Sequence, residues 1–340
     1  MGVDAKQQCF VLGRSLEKAV YFAYPEHQRY IEALRNLALL NLSKEENMRW
    51  SSFPAIIVSL IFGTLLLLAI ALWTLSIRSH DDWEYSVLYT DLPEVSGLQS
   101  HGRSVYVTLE TRHYDGELLS ILDGDRSTIV SGLQKPDGLT TSLGALVYTQ
   151  EFGESPVYEI INGAPHGLFM ADGAEGIDST LNGDLYVIED RPGGRVLKYE
   201  RSTGKTSELA TGLEAGEGIC VMENGVVYFG ERDKGTVYKI QNGEISEYLT
   251  SLSKPGFLLC DDESQSVWIT EDRRNYGRLL HSSAPHQVQV MARGLSSPQA
   301  VTINSQGRLL LAEQGRDRVI QFARRDGLPI NSAMIVTGTE

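Results

Sequence analysis

Val107-Thr108-Leu109-Glu110, Tyr148-Thr149-Gln150-Glu151, Tyr186-Val187-Ile188-Glu189, Tyr228-Phe229-Gly230-Glu231, Trp268-Ile269-Thr270-Glu271 and Leu310-Leu311-Ala312-Glu313 are six hydrophobic strands, each running into a glutamate. The glutamates follow one another at intervals of 41, 38, 42, 40 and 42 residues. A second mark keeps the same period, a small turn opening a strand: Ser96-Gly97-Leu98, Asp137-Gly138-Leu139, Glu175-Gly176-Ile177, Glu217-Gly218-Ile219, Pro255-Gly256-Phe257 and Gln299-Ala300-Val301. A third closes the units, as in Val130-Ser131-Gly132-Leu133 and Ala292-Arg293-Gly294-Leu295. Between the marks lie Asn-Gly turns such as Asn182-Gly183, Asn224-Gly225 and Asn242-Gly243, the turn chemistry of hairpins. Four short strands in about 40 residues make one propeller blade. The sequence therefore predicts an all-β, six-bladed β-propeller of four-stranded antiparallel blades over residues 86–325, with a tail at 326–340.

The sixth repeat offers three strands, ending at Val319-Ile320-Gln321-Phe322, while Ser86-Val87-Leu88-Tyr89-Thr90-Asp91-Leu92 reads as a fourth strand without a blade. Joining the two closes the ring and removes exposed sheet edges. Ala333-Met334-Ile335-Val336-Thr337 is the competing closing strand, and the N-terminal one resembles the repeat ends more closely.

Composition narrows the function classes. With 42% hydrophobic and 22% charged residues the 340-residue chain is an ordinary globular protein, not a disordered one. A net charge of −14 argues against a nucleic-acid partner, which needs a basic face. Three cysteines are too few for a disulfide scaffold. Phosphate-loop and dinucleotide fingerprints are missing, so neither nucleotide nor haem is expected.

Ahead of the repeats, 28 residues between Arg49 and Arg78 carry no formal charge, with an apolar heart from Phe53 to Trp73. That is enough to cross a bilayer as a helix, with Trp50 and Trp73 placed for the headgroup boundary. The expected organisation is an N-terminal helical segment at 1–50, one transmembrane helix at 51–77, a linker at 78–85, then the propeller. Arg35, Lys44 and Arg49 precede the span, which puts the N-terminus in the cytoplasm and the propeller on the extracytoplasmic side, in periplasm or lumen. Residues 1–52 carry seven Lys/Arg and six Asp/Glu, so the acidity belongs to the remainder, at 23 basic against 38 acidic. Residues 1–50 place Tyr30, Ile31, Leu34, Leu37 and Leu40 at roughly helical spacing, which fits a helix docking on an integral-membrane partner or lying on the inner surface.

Ser297-Pro298-Gln299-Ala300-Val301, Asn304-Ser305-Gln306-Gly307-Arg308-Leu309-Leu310-Leu311-Ala312-Glu313 and Arg318-Val319-Ile320-Gln321-Phe322 resemble an NHL-type repeat. The stretch 83–325 as a whole is similar to the six-bladed superfamily that holds NHL, gluconolactonase/regucalcin and strictosidine-synthase-like proteins. Strands that open a blade line the central channel, and their leading residues are Ser96, Asp137, Glu175, Glu217, Gly256 and Gln299. Three converging carboxylates, Asp137, Glu175 and Glu217, must share protons or bind a cation, and hard oxygens suit Ca²⁺ or another divalent ion. The resemblance implies the same: gluconolactonase-like proteins bind a divalent metal at such positions and use an aspartate as base on a lactone or ester, the role it would give Asp137. Pro136-Asp137-Gly138 and Gly216-Glu217-Gly218 are similar to the family's aspartate and glutamate motifs. They stand here in reversed order, and the family's amide ligands are missing apart from Gln299.

The glutamates at 110, 151, 189, 231, 271 and 313 recur in every unit and are expected to be architectural, pairing with nearby arginines such as Arg191, Arg232, Arg273 and Arg316. Their loops should also make the channel face acidic enough to steer a basic partner. Cys220 and Cys260 lie out of register on adjacent strands and read as buried free thiols. Two functions follow. The first is an accessory or scaffold subunit of a membrane assembly, contacting its partner through 1–77 and the propeller face. The alternative is a divalent-metal-dependent lactonase or esterase with its site in the channel.

Overall fold

Each of the six units folds into one antiparallel sheet, in a computed structural model that describes residues 63–66 and 76–330. The chain divides into two units, 1–74 and 75–340. In the first, residues 63–66 are helical. No helix among the described residues is long and apolar enough to cross a membrane. The expected helical segment at 1–50, most of the span at 51–77 and the tail strand at 333–337 lie outside the described residues.

In the second unit, the first strands of blades 1 to 6 are Val95–His101, Pro136–Ser142, Ala174–Ser179, Gly216–Val221, Pro255–Asp261 and Pro298–Ile303. Each pairs with the strand after it, and each sheet then runs outward in sequence order. The sixth blade takes its fourth strand from ahead of the first blade: it is Trp83–Tyr89, antiparallel to Arg318–Arg324 with Tyr85 opposite Phe322 and Val87 opposite Ile320. The N-terminal strand is thus the one that closes the ring. Residues 78–85 form part of the fold: Arg78–Ser79 adds a fifth strand to blade 5 against Arg293 and Ala292, and the closing strand begins at Trp83. The reason is apolar burial, since Ile77 and Trp83 both lie in the core between blades 5 and 6.

Six hydrophobic clusters fill the six gaps between neighbouring blades. The packing follows from period-2 strands, whose side chains alternate between the two faces of a blade. Trp83 sits 5.5 Å, ring to ring, from Trp268 of blade 5 and 6.1 Å from Phe322. Losing a fully buried indole of this kind costs about 3–5 kcal/mol, so the closing strand is held by packing as well as by its ladder.

Candidate metal centre

A β-bulge at one place in every blade aims the residues at the axis. The register of the first strand against the second shifts between Val95 and Leu98, Pro136 and Leu139, Ala174 and Ile177, Gly216 and Ile219, Pro255 and Leu258, and Pro298 and Val301. A bulge turns a side chain out of the ladder, and the residues it releases are Ser96, Asp137, Glu175, Glu217, Gly256 and Gln299. The glycine that follows in blades 1 to 4 is required by close approach. A Cβ on Gly138 would lie 2.4 Å from the carbonyl oxygen of Glu175, and one on Gly218 would lie 2.3 Å from that of Gly256. Thr108 and Thr149 hydroxyls donate to the carbonyls of Asp137 and Glu175 at 2.7 Å, tying each first strand to its neighbour.

A second ring stands around the first. The backbone N–H groups of Glu110, Glu151, Asp190, Arg232, Asp272 and Gln314 donate to the carbonyls of Glu94, Lys135, Gly173, Ala215, Lys254 and Ser297, one equivalent bond in each blade. Glu110 and Glu151 therefore share their position with Asp190 and Arg232. Glu189, Glu231, Glu271 and Glu313 occupy the preceding position, shared with Leu109 and Gln150. The sequence period merges these two rings, and the structure separates their roles.

The four preceding glutamates are structural. Each is almost fully buried and accepts a backbone N–H from the segment that leads into its blade: Glu189 from Asp172 at 2.9 Å, Glu231 from Glu214 at 3.0 Å, Glu271 from Ser253 at 2.7 Å and Glu313 from Ser296 at 2.8 Å. Each also meets a cation, Glu189 with Arg195, Glu231 with Lys234, Glu271 with Arg278 and Glu313 with Arg318. Arg191 and Arg316 contribute as expected, whereas Arg232 turns to the channel and Arg273 meets Ser253 instead. Gln150 does the same backbone work in blade 2, accepting from Gln134 at 2.7 Å.

The other two glutamates join the channel. Oxygens of Glu110, Asp137 and Glu151 lie within 4.8 Å of one another, and so do those of Glu151, Glu175 and Asp190. Asp137 accepts a short hydrogen bond from the Ser96 hydroxyl. Glu110 accepts from Gln314 Nε2 at 2.8 Å and faces Lys135 Nζ at 3.2 Å, and Lys135 also contacts Glu151. Arg232 donates to Glu217 Oε1 at 2.9 Å and to Asp190 Oδ2 at 3.3 Å. Gln299 points to Gln314, and Gly256 brings no side chain.

Six carboxyl groups thus share this cup with two cations. Burial pushes Glu175 and Glu217 well above the ordinary carboxylate range; the charges of Asp137 and Glu217 add to it at Glu175. Burial also raises Asp137 and Asp190, and holds Glu110 at about 7. Burial and the nearby charges of Asp137 and Glu217 favour the protonated form of Glu175. Glu175 Oε2 and Glu217 Oε2 are buried with no hydrogen-bond partner. Orphaned, excess carboxyl oxygens in a largely buried cup are what a hard divalent cation neutralises. The donor set fits such an ion, with Glu151, Glu175 and Asp190 as the residues that would hold it.

Rival chemistries fall away. His281 meets Ser266 Oγ at 2.8 Å, but it packs tilted against Trp268 in blade 5 and burial holds it neutral, down to about 4. Cys220 and Cys260 form a disulfide between blades 4 and 5, with Cα atoms 5.4 Å apart, and are not free thiols. By the bulge positions they are offset by one residue. An odd offset is what pairing requires, because alternate residues face opposite sides of a blade, so one cysteine looks forward around the ring and the other back.

None of the protein-family models matches the chain, and no curated protein matches it in sequence. Solved structures do. The fold is similar to a gluconolactonase from Xanthomonas campestris, with a TM-score of 0.61 at 12% identity, covering 72% of this chain and 91% of that one. It is also similar to a calcium-binding protein, regucalcin, from Agrobacterium tumefaciens, with a TM-score of 0.56 at 12% identity over 69% and 91% of the two chains. A virginiamycin B lyase from Staphylococcus aureus follows at 0.52 and 14%, over 73% and 99%. At these identities the likeness shows the fold: a six-bladed propeller with gluconolactonase/regucalcin and lyase neighbours.

Proposed function

We propose that the protein is a divalent-metal-dependent hydrolase of small lactones or esters, with its site in the acidic cup at the propeller mouth. The observation that carries this reading is the excess of buried carboxyl groups over cations, with Glu175 Oε2 and Glu217 Oε2 unpartnered. The gluconolactonase and regucalcin neighbours support it. A divalent cation held there would supply Lewis-acid polarisation of a substrate carbonyl. Asp137, oriented by Ser96, is placed to take a proton from an attacking water as its oxygen bonds to the acyl carbon. It returns that proton to the alkoxide when the acyl–oxygen bond breaks. Arg232 fixes Glu217 by donating to its Oε1 at 2.9 Å. Glu217→Gln should abolish metal-dependent cleavage of lactones or esters with folding intact. Absence of cleavage by the native protein over a broad lactone and ester panel with Ca²⁺, Mg²⁺, Mn²⁺ or Zn²⁺ would overturn the reading.

We also propose that the apolar run from 51 to 74 anchors the chain in a bilayer with 1–50 cytoplasmic and the propeller outside, the arrangement in which 1–74 docks on an integral-membrane partner; Ile77, counted in the expected span, belongs instead to the propeller core. Supporting it are the uncharged run from Trp50 to Ile77 and the inter-blade disulfide, which suits an oxidising compartment. Extraction in mild detergent should recover a larger assembly that deletion of 1–45 disperses; a monomer from the full chain would refute it.

A further inference from the structure

The two acidic clusters of the cup share Glu151 but differ in what already fills them. Glu110, Asp137 and Glu151 surround Lys135, whose Nζ lies 3.2 Å from Glu110 Oε1 and in contact with Glu151, each of these three side chains being largely buried. In the cluster of Glu151, Glu175 and Asp190 the only ammonium contact is that of Glu151 with the same Lys135; Arg232 donates to Asp190 at 3.3 Å, and Glu175 Oε2 is buried and unpartnered. We propose that the cup is a two-cation site in which the Lys135 ammonium permanently fills one position, so that the chain binds a single exchangeable divalent ion, at Glu151, Glu175 and Asp190. The proposal rests on the metal-dependent reading of the cup and adds which half of it takes the ion.

The backbone explains how a lysine reaches this place. Lys135 sits at the joint before the first strand of blade 2 with φ +46°, and the same joint is left-handed at Glu94, Gly173, Lys254 and Ser297. The conformation belongs to the fold rather than to this residue. Lys254, on the same joint of blade 5, is exposed. There Asp272 stands where Glu151 stands beside Lys135, but Arg232 takes the place of Glu110, so a cation replaces one of the two acids. A lysine turns inward where acids wait for it: Glu110 and Glu151, flanking Lys135 from blades 1 and 2. With its charge balanced by two carboxylates at close range, the ammonium does what a bound metal would do, holding Glu110 and Glu151 together and lending positive charge to Asp137.

Removing the lysine charge should therefore open a second metal position. Calorimetric titration of the full chain with Ca²⁺ alone, with native mass as an independent count, should give one ion for the native protein, two for Lys135→Met and one for Lys135→Arg. One ion in Lys135→Met at the native affinity would overturn this proposal and leave the metal-dependent reading standing. No ion in either protein would overturn both. Should Lys135→Met fold only when Ca²⁺ is present, the metal has taken the lysine's place and the proposal holds; a variant that stays unfolded with Ca²⁺ while Lys135→Gln binds one ion counts against it.

Discussion

Raising the pH should destabilise the metal-free propeller, and Glu110 gives the size of the effect. Its carboxyl is held at about 7 in the fold, first by burial and then by the charge of Asp137, against 4.5 ordinarily. Between those values the folded chain keeps a proton that the unfolded chain has released, so unfolding free energy falls as pH rises through the window. Full titration is worth about 3 kcal/mol at 1.36 kcal/mol per pH unit of displacement. About 2 kcal/mol of it falls between pH 5.5 and 8.5 by the same linkage. Urea unfolding in chelator at these two pH values, for the native chain and Glu110→Gln, isolates the residue. The amide can still accept from Lys135 and Gln314 but cannot ionise. The native protein should lose about 2 kcal/mol more than the variant over this interval. Equal losses, or a native protein that gains stability with pH, would refute the view that this carboxyl is buried against its own charge.

Three further outcomes are expected. Ca²⁺ binding should release about one proton and tighten about tenfold per pH unit while Glu175 stays protonated; calorimetry in two buffers of different ionisation enthalpy reads the proton count, and zero release would contradict a Glu175 carboxyl raised by burial and its acidic neighbours. Replacing Cys220 and Cys260 together by serine should cost about 4 kcal/mol by the loop-closure relation for their 40-residue separation, seen in urea unfolding; no change on replacement or on reduction would mean the bond does not form. Glu313→Ala should destabilise by about 3–5 kcal/mol, because it strips Arg316, Arg318 and the Ser296 N–H of a buried partner; a loss below about 1 kcal/mol would put the glutamate with ordinary surface positions.

The blades were legible because their determinants are local and repeated: a bulge with its glycine, a hairpin turn, an apolar strand. The closing strand could be found by subtraction, since blade 6 lacked an edge and 86–92 lacked a blade. Its start at Trp83 could not, because what recruits 78–85 is packing between blades 5 and 6 that no local pattern marks. Repeat position finds Asp137, Glu175 and Glu217 on equivalent bulges, but the acidic clusters within 4.8 Å put Asp137 and Glu175 in different groups and leave Glu217 out of both. Lys135 is not found that way, since it sits at a joint and reaches its partners only through a left-handed backbone. Glu110 and Glu151 carried the same letter as the structural glutamates one residue out of phase, and only the inter-strand register tells them apart. The disulfide is hidden from the sequence for a related reason: equal register looks like the condition for meeting, yet residues in equal register all face the same way around the ring.

Closing the ring with its own first strand has a temporal consequence. Roughly 230 residues separate Tyr89 from Arg318, where its partner strand begins. At a synthesis rate of about 5–20 residues per second, Trp83-Glu84-Tyr85-Ser86-Val87-Leu88-Tyr89 waits for ten to fifty seconds, roughly, as an unpaired and partly apolar edge. Newborn chains are then most open to mispairing with one another, and the yield of protein made in cells should depend on what shelters that ribbon until the sixth blade arrives.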